Sequence, residues 1–115
     1  MLDITEGVRL FNDSDFFAAH DFFEDLWMEA NYDEKKFYQG LVQISVGCFH
    51  LICGNLNGAK SQISKGINKL LDFIPKYNNL ELTKLISKFE EILIDLNENN
   101  ISLIREKIPV LELII

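Results

Sequence analysis

The sequence predicts an all-α fold, a compact bundle of five to six helices. Apolar residues recur three and four apart along nearly the whole chain, and alternating β patterns are almost absent. Both prolines, Pro75 and Pro109, stand where helices would end. At 115 residues the chain has the length of one domain, and its 48% hydrophobic and 25% charged residues are the proportions of a protein with a packed core.

Each element has its own signal. A short helix is expected over 2–11, followed by a break at Asn12-Asp13-Ser14 whose polar side chains cap the next helix. The second helix runs over 15–30. Asn31-Tyr32-Asp33 is a turn in which Asp33 caps a third helix reaching Cys53, and Gly54-Asn55 ends that helix with a residue free to take positive φ. A fourth helix covers 57–74 and stops at Pro75. A fifth covers 80–97, and Asn99-Asn100 opens a last short one before Pro109. The apolar stripe Leu85, Phe89, Ile92, Leu93 and Leu96 packs the fifth helix onto the bundle.

A weak repeat lies inside this layout. Ser14-Asp15-Phe16-Phe17-Ala18-Ala19 aligns with Gly54-Asn55-Leu56-Asn57-Gly58-Ala59, and Phe23 and Trp27 then align with Ile63 and Ile67. The pattern resembles the first helix of tetratricopeptide-type hairpins. Two units are too few for a solenoid, so a closed bundle with tetratricopeptide-like helical hairpins is expected.

Composition narrows the function classes. Eleven basic against 18 acidic residues give a net charge of −7, which repels phosphate backbones and argues against nucleic-acid binding. No apolar run approaches the roughly 20 residues that cross a bilayer, and Met1–Leu10 lacks the basic-then-apolar order of a signal peptide. A cytoplasmic protein with no membrane partner is expected. Cys48 and Cys53, five apart on one helix, point about 140° away from each other and read as unpaired thiols in a reducing compartment.

Polar residues intrude on two apolar stripes. At about 100° per residue, His20, Glu24 and Trp27 share one face of the second helix, flanked by Phe16 and Phe23 on one side and by Phe17 and Met28 on the other. Asp25 and Glu29 take the opposite, solvated face. On the third helix Lys36, Gln39, Gln43 and His50 form a stripe bordered by Gly40 and Gly47. That helix is apolar almost all round, as a central helix should be. A short turn makes the two helices antiparallel neighbours. Unpaired buried polar groups cost several kcal/mol, so His20, Glu24, Gln39, Gln43 and His50 are expected to converge, with Gly40 and Gly47 allowing the close approach. Trp27 walls the resulting pocket and Lys36 sits at its rim.

Such a group has two chemical uses. A carboxylate in apolar surroundings next to an imidazole suits acid–base work, with Glu24 and His20 carrying protons. His20, Glu24 and His50 also make a candidate ligand set for a divalent metal ion, with positions left for water and substrate. Gln39, Gln43, Trp27 and Lys36 would then contact the bound molecule. A different class of reading makes the cluster a hydrogen-bonded core network of a non-enzymatic helical interaction module. The two part on accessibility: a site needs an open cavity lined by Glu24, a packing network is sealed.

The same residues carry a resemblance. Phe11-Asn12, Phe16-Phe17-x-Ala19-His20-x-x-x-Glu24-x-x-Trp27, Phe37-x-Gln39-Gly40-Leu41-x-Gln43, His50 and Gly54-Asn55-x-x-Gly58-Ala59 together resemble the domain-of-unknown-function 309 family, over about 11–75. The resemblance implies a small helical protein with His20, Glu24 and Trp27 as signature positions and Gln39, Gln43 and His50 as their companions. It also implies an enzymatic role of metal-dependent hydrolytic type. Where relatives often carry arginine this sequence has Lys35-Lys36, and lysine lacks the bidentate fork. The expected organisation is one domain over 1–115, a family-like core followed by a helical extension over 76–115. The apolar tail Val110-Leu111-Glu112-Leu113-Ile114-Ile115 needs cover from its own core or, in a homodimer, from a second copy.

Overall fold

A computed structural model describes residues 1–114; Ile115 of the apolar tail lies outside the described residues. The chain folds as α1 (Thr5–Asn12), α2 (Phe16–Glu29), α3 (Tyr32–Ile52), α4 (Leu56–Leu70), β1 (Lys76–Tyr77), β2 (Leu80–Glu81) and α5 (Thr83–Asn97). Short 3₁₀ turns follow α4 at Leu71–Phe73 and α5 at Ile104–Lys107. The all-α bundle expected from the periodicity is the observed architecture.

Helix α3 is the central element, packed on α4 along one side and on α2 along the other, while α1 covers α2 and α5 covers α4. Its buried residues Phe37, Leu41, Ile44, Cys48 and Leu51 join Phe11, Phe23, Ile63, Leu70, Leu85 and Phe89 in one continuous core. Cys48 is buried, Cys53 is exposed, and both thiols are free.

The junctions before α2 and α4 are built alike. Ser14 (φ +64°) and Gly54 (φ +82°) both take the left-handed region. After each, the next amide reaches back to a carbonyl five residues upstream, Asp15 to Leu10 and Asn55 to His50, both at 2.9 Å. The same two residues then cap the following helix: Asp15 accepts from the Ala18 amide and Asn55 from the Gly58 amide. Ala19, Ala59, Phe23 and Ile63, aligned in the repeat, are all fully buried. The repeat is thus a repeated corner, a helix stop and a helix start compressed into two residues.

Several element ends differ from expectation. The cap residues are Asp15 and Asn31, not Ser14 and Asp33; α3 starts two residues early because the extended backbone of Asn31 (ψ 157°) already precedes a helical Tyr32. Helix α4 stops at Leu70, and the stretch expected to open the fifth helix is instead a hairpin. Asn78 (φ +49°) and Asn79 (φ +61°) both take positive φ, the demand of a two-residue turn, and pair Tyr77 with Leu80. Tyr77 anchors the hairpin by packing on Phe37 and Phe73, with ring centroids 4.8 and 4.7 Å apart. The last helix is only a 3₁₀ turn, because Asn99 (φ +57°) and Leu103 (φ +61°) interrupt the chain before it.

The tail is covered by its own fold in part: Leu111 and Leu113 turn inward, while Val110 and Ile114 stay exposed. Leu111 is buried, Leu113 pairs with Leu80 in an antiparallel bridge, and Asn12 both donates to the Leu111 carbonyl (3.0 Å) and accepts from its amide (2.7 Å). Asn78 makes a second clasp, donating to the Leu2 carbonyl and the Tyr38 hydroxyl.

The glycines of α3 face α4, not α2 as the sequence pattern suggested. A Cβ on Gly40 would lie 2.9 Å from Leu70, and one on Gly47 2.5 Å from Ile63. On the facing helix, a Cβ on Gly66 would lie 2.6 Å from the Ile44 side chain and 3.0 Å from its backbone nitrogen. Three glycines therefore bring the α3 and α4 backbones together in a dry seam. No described helix is long and apolar enough to cross a membrane.

Candidate functional site

The polar residues lie on the other side of α3, where it meets α2. Helix α2 buries Phe16, Ala19, Phe23 and Leu26. His20 and Glu24 each follow a buried residue by one position, so they stand about 100° off the buried stripe, at its edge. Phe17 and Met28, which the sequence pattern counted as core, are 57% and 61% exposed. That roll of the helix decides the site's character. The His20 side chain keeps 23% of its surface and Glu24 keeps 49%, so the carboxylate is not desolvated as expected.

Antiparallel packing still brings most of the expected residues together. Glu24 and Trp27 of α2, Gln39, Val42 and Gln43 of α3, and Gln62 of α4 line one open cleft of about 230 Å³. Next to it, Phe17 and His20 of α2 and Val46, Phe49 and His50 of α3 line an apolar cleft of about 220 Å³. His20 belongs to both regions in effect, because its Nε2 lies 3.2 Å from Glu24 Oε2. Six of the seven expected residues thus form a row along the α2–α3 groove instead of a buried knot.

Polar contacts fix part of that row. His20 Nδ1 lies 3.1 Å from Asp21 Oδ1, so a carboxylate oxygen stands at each ring nitrogen. His50 Nδ1 meets the Asn55 amide at 3.4 Å. Lys35 donates to the Trp27 carbonyl (2.7 Å) and holds its ammonium 5.1 Å from the indole centroid, which orients the ring. Lys69 donates to Gln43 Oε1 at 2.9 Å. Lysine has donors only, so the Gln43 carbonyl must face it and the amide NH₂ is turned the other way.

Two expectations are corrected. Lys36 does not line the Glu24 cleft; it pairs with Asp72 at the end of α4 and lines an adjoining depression that shares Gln39 with it. The proposed ligand trio of His20, Glu24 and His50 is not assembled, and among the described residues no three His, Cys, Asp or Glu side chains come together to hold a metal ion. The physical reason is local. His20 is engaged by two carboxylates at its two nitrogens, and His50 is turned towards Asn55. No buried side-chain nitrogen or oxygen lacks a partner among the described residues.

Sequence reasoning missed the contribution of α4. Gln62 and Lys69 lie seven residues apart, hence on one face, and both reach the α3 polar stripe. That spacing was a usable signal. It is masked because the polar stripes of the second and third helices already account for each other and call for no third wall.

No curated protein matches the chain. A family model described as Domain of unknown function (DUF309) matches residues 4–62, just over half of the sequence, and the chain belongs to that family.

Proposed function

We propose that the groove between α2 and α3 is a binding site for a small polar molecule. The observation that carries this reading is the half-exposed Glu24 carboxylate opening into a cleft with Trp27 and the amides of Gln39, Gln43 and Gln62. A network that served only to fix packing would be closed to solvent. Open, it offers an acceptor at Glu24, a donor at Gln43, adaptable amides beside them and flat apolar walls in Trp27 and Val42. At about 230 Å³ the cleft is smaller than the roughly 300–1,000 Å³ of sites for drug-sized ligands, which favours a compact, amine- or amide-bearing molecule.

The expected metal-dependent hydrolysis is the weaker reading, since its three ligands are not gathered. The close His20–Glu24 pair, 3.2 Å apart, is what supports a role in proton transfer at the cleft's edge. Elemental analysis of chelator-free protein tests the metal: stoichiometric zinc, manganese or iron that is lost in His20→Ala would restore that reading.

Binding is tested with propylamine and propionamide as probes. Trp27 is the chain's single tryptophan, so indole fluorescence reports on this wall alone. Saturable fluorescence change, with shifts in the glutamine side-chain amide resonances and at least a tenfold affinity loss for the amine in Glu24→Gln, is the expected result. No saturable response to either probe would overturn the proposal. So would a Glu24→Gln protein that loses most of its stability, the mark of a core network.

A further inference from the structure

Lys69 stands out among the charged groups of the bundle. It sits in the last turn of α4, half-buried, with its ammonium on Gln43. Like most of the lysines among the described residues, Lys69 is in no ion pair; what sets it apart is a part-buried ammonium whose partner is an uncharged side chain of another helix. On a chain of net charge −7, with 18 acidic residues to draw on, this ammonium is met by an uncharged amide. Its charged neighbours are Lys65 and Lys36, which together with burial push it below the ordinary lysine range. Asp72 neutralises Lys36. Lys69 has no such partner, although one of its three protons is spent on Gln43 and two remain.

The bond to Gln43 also links this charge to the cleft. Glu24 of α2 and Gln43 of α3 line the cleft, and behind Gln43 stands the ammonium of Lys69 on α4, to which Gln43 Oε1 is turned. A last-turn lysine stabilises a helix C-terminus by pointing at its own carbonyls, and that role needs no contact with a neighbouring helix. Here the side chain instead reaches across to α3.

We propose that Lys69, which reaches the cleft through its bond to Gln43, anchors an anion subsite beside it, taking the carboxylate or phosphate of a small ligand whose amine is received by Glu24. The ligand class is then a compact amino-bearing anion. The Glu24 half of this statement rests on the binding-site reading above; the Lys69 half rests on its own geometry.

The test follows the Gln43 side-chain amide by NMR while acetate or inorganic phosphate is added to the full chain at constant ionic strength. Saturable shifts with at least one anion are expected, and the tighter of the two identifies the ligand group. Lys69→Gln should weaken binding at least tenfold. Lys60→Gln, about 180° away on the same helix, should leave it within twofold. Glu24→Gln should keep anion binding while losing propylamine, and γ-aminobutyrate should bind the parent at least tenfold tighter than acetate. The subsite is overturned if neither anion gives a saturable shift, or if Lys60→Gln weakens binding as much as Lys69→Gln, which would mean diffuse attraction. Amine binding that survives beside a failed anion titration overturns the Lys69 half alone. Anion binding with no amine response overturns the Glu24 half alone.

Discussion

The two long sides of α3 solve opposite problems with the same helix. Towards α4, Gly40, Gly47 and Gly66 remove side chains so that Ile44, Ile63 and Leu70 fill the gap and the backbones nearly touch. Towards α2, larger and polar side chains hold the surfaces apart near solvent, leaving two clefts lined by Glu24, the glutamines and the histidines. One side supplies rigidity through close packing; the other leaves open clefts, the groove proposed above to take a ligand. An open groove on one side needs such a seam on the other, because a helix with clefts on both sides would have little to fix its position.

The contrast breaks first at the glycines. Gly66→Val places a Cβ and two methyl groups where the Ile44 backbone nitrogen (3.0 Å from the Cβ) and the Gly40 carbonyl (3.1 Å) already stand. Backbones cannot step aside as flexible side chains do, so the variant should lose about 3 kcal/mol or more, read from urea midpoints. Ile63→Ala, on the same seam, leaves a cavity and should cost about 2–5 kcal/mol. On the other side, Glu24→Gln removes only an exposed pair with His20 and should shift stability by less than about 1 kcal/mol. A Glu24→Gln loss as large as that of Ile63→Ala would erase the distinction between the two sides.

Thiol chemistry sharpens it without disturbing the fold. Burial pushes the Cys48 thiol well up, while Cys53 at the end of α3 is exposed. A thiol reagent at pH 8 should therefore modify Cys53 promptly and Cys48 only on unfolding, giving two well-separated phases by mass spectrometry. Equal rates at the two positions would mean that the interior of α3 opens readily.

Much of this was legible from periodicity. The stripe Leu85, Phe89 and Ile92 packs as its spacing implied, α3 is central, and Gly54 takes the positive φ expected of it. What periodicity could not resolve was rotation. A shift of one position, about 100°, separates Glu24 inside a stripe from Glu24 at its rim, and exposed Phe17 and Met28 widened the apparent stripe enough to hide the difference. The same ambiguity assigned Gly40 and Gly47 to the wrong neighbour. Glycine announces a close approach but not to which helix, and the answer lay in Gly66, a third glycine on α4. The Asn78-Asn79 hairpin escaped because two-residue strands are too short to show alternation, although adjacent asparagines are themselves a turn signal.

The clasp of Asn12 on Leu111 has a bearing on how the molecule is made. It ties together positions 99 residues apart, so the first helix gains its far-end partner only after nearly all the described chain has emerged from the ribosome. Helices α1 to α4 pack through near neighbours in sequence and are able to gather as they are synthesised. Closure at Asn12 is then a late event, and a fluorophore pair spanning that junction would time the end of folding separately from the collapse that precedes it.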